Sequence, residues 1–352
     1  MKRTALTLVT ASGLIAAGNA QAADIDIYGQ AHMAISHLDD GDDYSALNLS
    51  SNSSRVGFRA GHDLDDALRA IVQIEGQVNI DNTNTDVLTF RNSFAGLTGG
   101  WGTVRAGRFD TPNKILRIRT DLFGNQVGDA RNVIRGNYAG NQGFDERFRK
   151  GIAYTTPQVN GFFADVHYSV DTQENARSVD DNDNDAWSAS ITYHDGPLYA
   201  AISHERWNFS DAEIEDEDGN MVRAYPEERD VTRIAAYYDI ANFRFTGLAQ
   251  TASDPDDDAY GIGVRYAMVP DVHLKTQYYR LDGDADETSA DLFAVGVNYA
   301  YASNTTFYLN YAQIDNDDLQ TRQPWNEASS LNLTNTAGET ARAVAAGMIY
   351  NF

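Results

Sequence analysis

The chain has 352 residues, with 51 acidic side chains against 27 lysines and arginines, so its formal net charge is −24 at pH 7. Such an acidic chain is poorly suited to bind nucleic acid, because the phosphate backbone would repel it. It has no cysteine, which excludes disulfide frameworks, thiolate nucleophiles and zinc–thiolate sites. Hydrogen bonds and burial must therefore stabilise the fold.

Residues 1–22 have the pattern of a secretory signal peptide. Lys2 and Arg3 precede an apolar stretch over residues 5–18, and a small-residue cleavage site ends at Ala22. This stretch is shorter than the roughly 20 residues that a membrane-spanning helix needs, and no later apolar segment is longer. We therefore expect cleavage near Ala22 and one mature domain, residues 23–352, which is either a soluble exported protein or a closed outer-membrane barrel.

After the signal, apolar and polar residues alternate in segments of about ten residues, the length of a tilted strand that crosses a bilayer. In the first segment Ile25 and Ile27 fall on one face and Asp26 falls on the other. Clear alternation covers residues 25–35, 70–80, 162–170, 187–194 and 260–268. The pattern indicates strands with one face towards lipid and one towards water.

The connections between these segments alternate between short and long, which is typical of hairpins in an up-and-down barrel. The long polar stretches cover residues 39–54, 110–147, 171–185, 210–230 and 315–340, with shorter ones near 81, 254 and 282. Seven short turns and eight longer connections divide the chain into 16 strands. An even number places both ends on one side, as a closed antiparallel barrel requires.

The predicted fold is all-β, a transmembrane antiparallel up-and-down β-barrel of 16 strands. Aromatic residues such as Trp101, Phe243 and Tyr299 cluster where strands meet short turns, as in an interfacial girdle. A soluble β-sandwich with core aromatics is the alternative. Side chains cannot fill the lumen of so wide a barrel, so it holds water unless something plugs it.

Six segments together resemble the general diffusion porins of Gram-negative outer membranes, and the resemblance covers the whole chain. They are DIDIYGQ (24–30), SRVGFRAG (54–61), FRNSFAGLTGGWGTVRAG (90–107), TDLFGNQVGD (120–129), IAYTTP (152–157) and AGMIYNF (346–352). The resemblance implies an outer-membrane channel for passive diffusion of ions and small hydrophilic solutes. It also implies that the long third loop folds into the lumen and that the protein is a homotrimer.

The same resemblance implies partners and a signal at the C-terminus. Tyr350 and Phe352 look like the signal that the barrel assembly machinery reads. The folded protein would contact the lipid bilayer and lipopolysaccharide.

In that family acidic residues on the third loop face a ladder of arginines on the wall. Carried over by position, Asp121 and Asp129 form the acidic side. The basic side comprises Arg55, Arg59 and Arg91 by motif, Arg147 by spacing, and Arg108. Strict alternation from Val104 turns the Arg108 side chain outward. Arg108 can still face the lumen if the strand ends at the root of the loop. If the strand continues, Arg105 takes the inward role.

This loop departs from the family pattern because it carries the basic residues Arg117, Arg119, Arg131 and Arg135. The total charge favours cations at the mouth of the channel, whereas a basic constriction favours anions. On balance the sequence slightly favours cations.

Three other functions are compatible with such a barrel: a surface adhesin or scaffold, a phosphate- or sugar-selective channel, and a barrel hydrolase. The chain has neither an HExxH nor a G-x-S-x-G motif. Its alternating carboxylates, such as those at residues 181–185, do not complete an EF-hand loop. We therefore expect no enzyme activity, no cofactor and no specific metal site.

Overall fold

The computed structural model describes residues 24–81, 88–135, 143–172, 184–209, 213–215, 221–223, 228–253, 256–325 and 336–352. The predicted signal peptide, residues 1–22, lies outside them. Within the described ranges, no helix is both long and apolar enough to cross a membrane.

The strands are β1 (Asp24–Asp39), β2 (Ser45–Ser51), β3 (Arg55–Asp63), β4 (Leu68–Val78), β5 (Leu88–Phe90), β6 (Ser93–Gly99), β7 (Gly102–Asp110), β8 (Arg147–Thr155), β9 (Phe162–Ser169), β10 (Ala186–Asp195), β11 (Leu198–Asn208), β12 (Glu213–Glu215), β13 (Met221–Arg223), β14 (Glu228–Ile240), β15 (Phe243–Ala252), β16 (Asp258–Val269), β17 (Val272–Asp282), β18 (Ala290–Ala302), β19 (Thr305–Asn316) and β20 (Ala341–Asn351). The helices are α1 (Pro112–Thr120) and α2 (Arg131–Ile134).

Eighteen of the strands form one antiparallel sheet, and β12 pairs only with β13. Because β2 and β3 both pair with β1, and β5 and β6 both pair with β4, each of these two pairs makes up one wall strand. The wall therefore has 16 strands, which confirms the predicted number. Pairing of β1 with β20 closes the barrel.

The alternation predicted from the sequence separates the two faces of the wall. In β14, Ile234 is 56% exposed, whereas its neighbours Arg233 and Ala235 are 0% and 1% exposed. In β19, Leu309 is exposed while Asn310 is buried. Since neighbouring strand residues point to opposite sides, apolar side chains cover the outer surface and mostly polar or small ones face inward.

The prediction of a connection over residues 39–54 was wrong for Ser45–Ser51, which forms β2 and pairs with residues 33–39 of β1. The exposed Leu47 and Leu49 alternate with the buried Asn48 and Ser50, so this stretch has the same two-faced pattern as the longer strands. Its short length and polar surroundings masked that pattern in the sequence.

The segment that follows β7, residues 111–135, contains both helices. Thr111 caps α1 because its hydroxyl oxygen accepts the Lys114 amide (3.2 Å), and Pro112 begins the helix. Helix α1 contacts β9–β11, β14 and β15, and α2 contacts β16–β18. Apolar residues of the segment, including Phe123, Val127 and Ile134, pack with Leu292 and other buried wall residues. This burial fixes the segment against one half of the wall.

Candidate functional site

A cavity of about 760 Å³ lies between the 111–135 segment and the other half of the wall. Its wall side comes from β2 through β4, from the residues after β5, and from the junctions with β7 and β8. The predicted site residues that line it are Arg55, Arg91, Arg147, Arg117, Arg131, Arg135, Asp121 and Asp129. The structure thus brings eight of the predicted charges together.

The first ionic group in the cavity is centred on Glu75 of β4. Arg91 donates from Nε to the Glu75 carboxylate at 2.7 Å, and Arg55 lies 3.9 Å from it. The Tyr28 hydroxyl donates to the same carboxylate at 2.9 Å. Arg91 also donates to the side-chain oxygen of Gln77 (3.0 Å). One carboxylate is therefore shared by two arginines.

A second group joins the end of β7 to the segment. Asp110 lies 3.1 Å from the Lys114 ammonium and 3.0 Å from the Arg147 guanidinium. Asn92 donates to Asp110 at 2.7 Å. Here again a single carboxylate faces two cations.

A third group joins the segment to the chain that enters β8. Glu146 accepts from Arg131 at 2.9 Å and from Arg135 at 2.8 Å. Each of the three groups combines two cations with one carboxylate. Arg117, Asp81, Asp121 and Asp129 also line the cavity, so seven cations and six carboxylates face it and a small excess of positive charge remains.

Asp121 and Asp129 have a different partner from the one predicted. Both bind the buried Arg117 of the same segment, each at 3.2 Å, and Arg117 also binds Asp145. Asp145 in turn binds Arg233 of β14 at 2.6 Å. The two acidic side chains line the cavity, but the partner they bind is Arg117 of their own segment and not an arginine of the wall.

Two titrations near neutral pH affect the charge of the cavity. Burial, helped by the negative charge of Asp129, raises the pKa of Asp121 to about 8 although Arg117 opposes the shift. Burial also lowers the pKa of Lys114 to about 8, against the attraction of Asp110. At neutral pH Asp121 is therefore mainly protonated and Lys114 mainly charged.

Three predicted basic residues do not line this cavity. Arg59 lies nearer the short turns, where its guanidinium carbon is 3.9 Å from the Tyr28 ring centroid and its Nε donates to Gln73 at 3.0 Å. Arg119 is exposed on α1. Arg108 is the third.

Strand β7 continues to Asp110, so it does not end at Arg108. Val104 is exposed and Phe109 is buried, which places Arg108 on the strand face of Val104 and Arg105 on the opposite face. Arg105 donates to Thr155 at 3.4 Å. The alternative inward residue considered from the sequence, Arg105, thus has the inward strand phase.

Tyr350 and Phe352, at the C-terminal end of the chain, are exposed on the outer surface. The amide and carbonyl of Phe352 exchange hydrogen bonds with Gly29 of β1, at 3.1 and 2.8 Å. These bonds extend the seam that closes the barrel. A role of these residues as an assembly signal stays a prediction.

Sequence reasoning did not select Glu75, Asp110 or Glu146 as site residues. Strand phase already placed Glu75 on the polar face with Gln73 and Gln77, so its role could have been found. Nothing in the sequence distinguished Asp145, whose partners come from α1 and β14.

The closed barrel with a charged cavity defines a class of membrane channel proteins. A family model described as Gram-negative porin matches residues 5–319. The chain therefore belongs to the Gram-negative porin family, and it is an outer-membrane channel protein. Its relatives are channels and not enzymes.

Similar proteins agree with this assignment. Outer membrane porin protein 32 of Delftia acidovorans is 25% identical over 300 residues, which cover 81% of this chain and 82% of the relative. Chitoporin of Vibrio furnissii is 29% identical over 181 residues, covering 48% and 47%. The structure of an anion-selective porin from Comamonas acidovorans has a TM-score of 0.78 at 23% identity and covers 94% of this chain and 100% of that one.

Proposed function

We propose that the 111–135 segment lies inside the lumen and that the cavity beside it is the narrowest part of a passive channel for ions and small hydrophilic solutes. The wall residues that bind the segment support this position. Arg233 donates to the Asn113 carbonyl (2.8 Å), and Gln277 donates to the Gly128 carbonyl (2.8 Å). Both belong to the buried strand face, while Ile234 beside Arg233 is exposed.

At this constriction we propose a preference for anions over cations. The observation that carries the proposal is the arrangement of Glu75, Asp110 and Glu146, each bound by two cations. The surplus cations attract anions, because a narrow cleft with low-dielectric walls focuses the field of its fixed charges. The total charge of −24 does not decide the preference. Salt screens the charges on distant loops, so at physiological ionic strength each of them acts over a range of only about 8–10 Å.

Reconstitution of the pure folded protein in a planar bilayer tests both proposals. We expect stepwise, ohmic conductance. In a potassium chloride gradient, the sign of the reversal potential should show that chloride permeates more readily than potassium. A lumen that passes no current would contradict the channel. Normal steps with a potassium-selective reversal potential would contradict the anion preference alone.

The anion preference should fall as the pH rises through about 8, the pKa of both Asp121 and Lys114. Above that pH Asp121 becomes negative and Lys114 becomes neutral, and both changes remove positive charge from the cavity. The reversal potential should therefore move towards that of a cation-preferring channel between neutral and alkaline pH.

A double variant, Asp121→Asn with Lys114→Met, provides the control for that titration. It removes both titrating groups and should make the reversal potential insensitive to pH in this range. If the double variant moves as far as the parent protein, other groups control the pH dependence.

We also propose that the protein assembles as a homotrimer in contact with lipopolysaccharide, and that the barrel assembly machinery inserts it through the segment ending at Phe352. The outer surface supports the membrane contact, because exposed aliphatic residues such as Ile191, Ile234 and Ile262 form an apolar band. Light scattering of the detergent-solubilised protein, corrected for bound detergent, should give the mass of three chains. A mass of one chain would contradict the trimer.

A further inference from the structure

Lys275 is a buried cation of the wall that does not line the cavity. Lys275 in β17 is 3% exposed, and its side chain lies on the inward face of the strand behind the 111–135 segment. A buried ammonium loses its hydration, which is costly unless other groups replace the water. The groups that replace it here all belong to the segment.

The Lys275 ammonium makes three contacts with consecutive parts of one turn. It donates to the Leu122 carbonyl at 3.1 Å and to the Gln126 side-chain oxygen at 2.7 Å. It also lies 4.0 Å from the centroid of the Phe123 ring, within the range of a cation–π interaction. The ammonium is thus satisfied only when residues 122–126 occupy this position.

Two neighbouring wall residues bind the same turn. The Gln277 side chain accepts from the Leu122 amide at 2.9 Å, and Asn310 of β19 donates to the Gln126 side-chain oxygen at 2.7 Å. On its other side, the turn contributes Leu122 and Gln126 to the lining of the cavity. Any movement of the turn would therefore change the shape of the constriction.

We propose that Lys275 is a positioning residue of the channel, which fixes the turn at residues 122–126 and so sets the width and steadiness of the constriction without touching a solute. This inference rests on the proposed function of the cavity as the narrowest part of the channel. A small shift of the turn breaks these contacts while the segment still covers the ammonium, and that penalty holds the turn in place. A side chain of similar length without donors lacks this effect.

Lys275→Met tests the proposal because methionine fills a similar volume but donates no hydrogen bond. In single-channel records the variant should show closures and sub-conductance steps about tenfold more often than the parent, equivalent to about 1.4 kcal/mol. Lys275→Arg, which keeps the charge and the donors, should restore steadier current. Lys150→Met is the matched control: it removes one lysine from β8, where Lys150 is exposed and paired with Asp171. Its current should remain as steady as that of the parent.

The outcomes separate this inference from the proposed channel. If the parent protein conducts but Lys275→Met is as steady as Lys150→Met, or if Lys275→Arg fluctuates as much as Lys275→Met, Lys275 does not position the turn. If Lys275→Met fails to assemble, Gln126→Leu tests the same proposal. This variant keeps Lys275 but removes its shorter hydrogen bond, the one to the Gln126 side-chain oxygen. Steady current in Gln126→Leu would overturn the proposal. An absence of current in the parent would instead contradict the channel itself.

Discussion

Replacing Arg55, Arg91 and Arg147 together with glutamine should convert an anion-preferring channel into a cation-preferring one. All three line the cavity, and each binds a carboxylate there. Their loss leaves Glu75 without a cation, and the lining of the cavity changes from seven cations and six carboxylates to four cations and six carboxylates. The net charge of the constriction therefore changes sign. The chloride-to-potassium permeability ratio should fall about tenfold or more, because fixed charge in a narrow cleft concentrates counter-ions to that extent.

Reversal potentials in a salt gradient measure this ratio. A matched triple variant, Arg206→Gln with Arg280→Gln and Arg342→Gln, removes the same total charge from strand positions that are not part of the cavity. It should leave the ratio nearly unchanged. Equal shifts in both variants would show that total charge, and not the cavity, determines selectivity.

Asp145→Ala should release the 111–135 segment from the wall. Asp145 binds Arg117 and Arg233, and all three side chains are at most 6% exposed. Burial alone would raise the pKa of the Asp145 carboxyl, but the two arginines hold it well below its usual range. Removing one partner from such a buried ion pair costs about 3–5 kcal/mol, because the remaining charge is uncompensated.

Limited trypsin digestion measures the release, since the segment carries several arginines. Cleavage at Arg119 or Arg131 should become much faster in Asp145→Ala than in the parent. Asp239→Ala is the control, because its partner Arg244 lies in a more exposed ion pair that contributes only about 0–1 kcal/mol. Protection of the segment in Asp145→Ala would mean that its apolar contacts hold it without the ion pair.

The barrel could be predicted because its physical cause is local. A strand between lipid and water needs one apolar and one polar face, and this requirement is visible within ten residues of sequence. The same rule places Glu75 on the polar face of its strand with Gln73 and Gln77. Strict alternation also points Arg105 inward and Arg108 outward, in agreement with the exposed Val104 and the buried Phe109. The position of Arg108 in the family motif had favoured Arg108 instead.

The partners of the charged residues could not be predicted in the same way. Arg117 binds Asp145, which lies 28 residues away, and Arg233, 88 residues from Asp145, completes the group. Such contacts depend on which strands the segment packs against, and neither strand period nor spacing encodes that packing. Asp145 also has a φ angle of +85°, a backbone conformation that Asp and Asn adopt more often than most residues.

The 111–135 segment contacts β9–β11 and β14–β18. One half of the barrel therefore supports this segment, and the other half borders the cavity. Inward side chains on the supporting half hold the segment in place, so a substitution such as one at Arg233 removes contacts that fix the segment to the wall. Inward side chains on β3 and β4, such as Arg55 and Gln77, border the cavity, so exchanging them changes the constriction and leaves the contacts of α1 and α2 with the wall in place. New solute preferences are therefore most readily engineered on that second half, one side chain at a time.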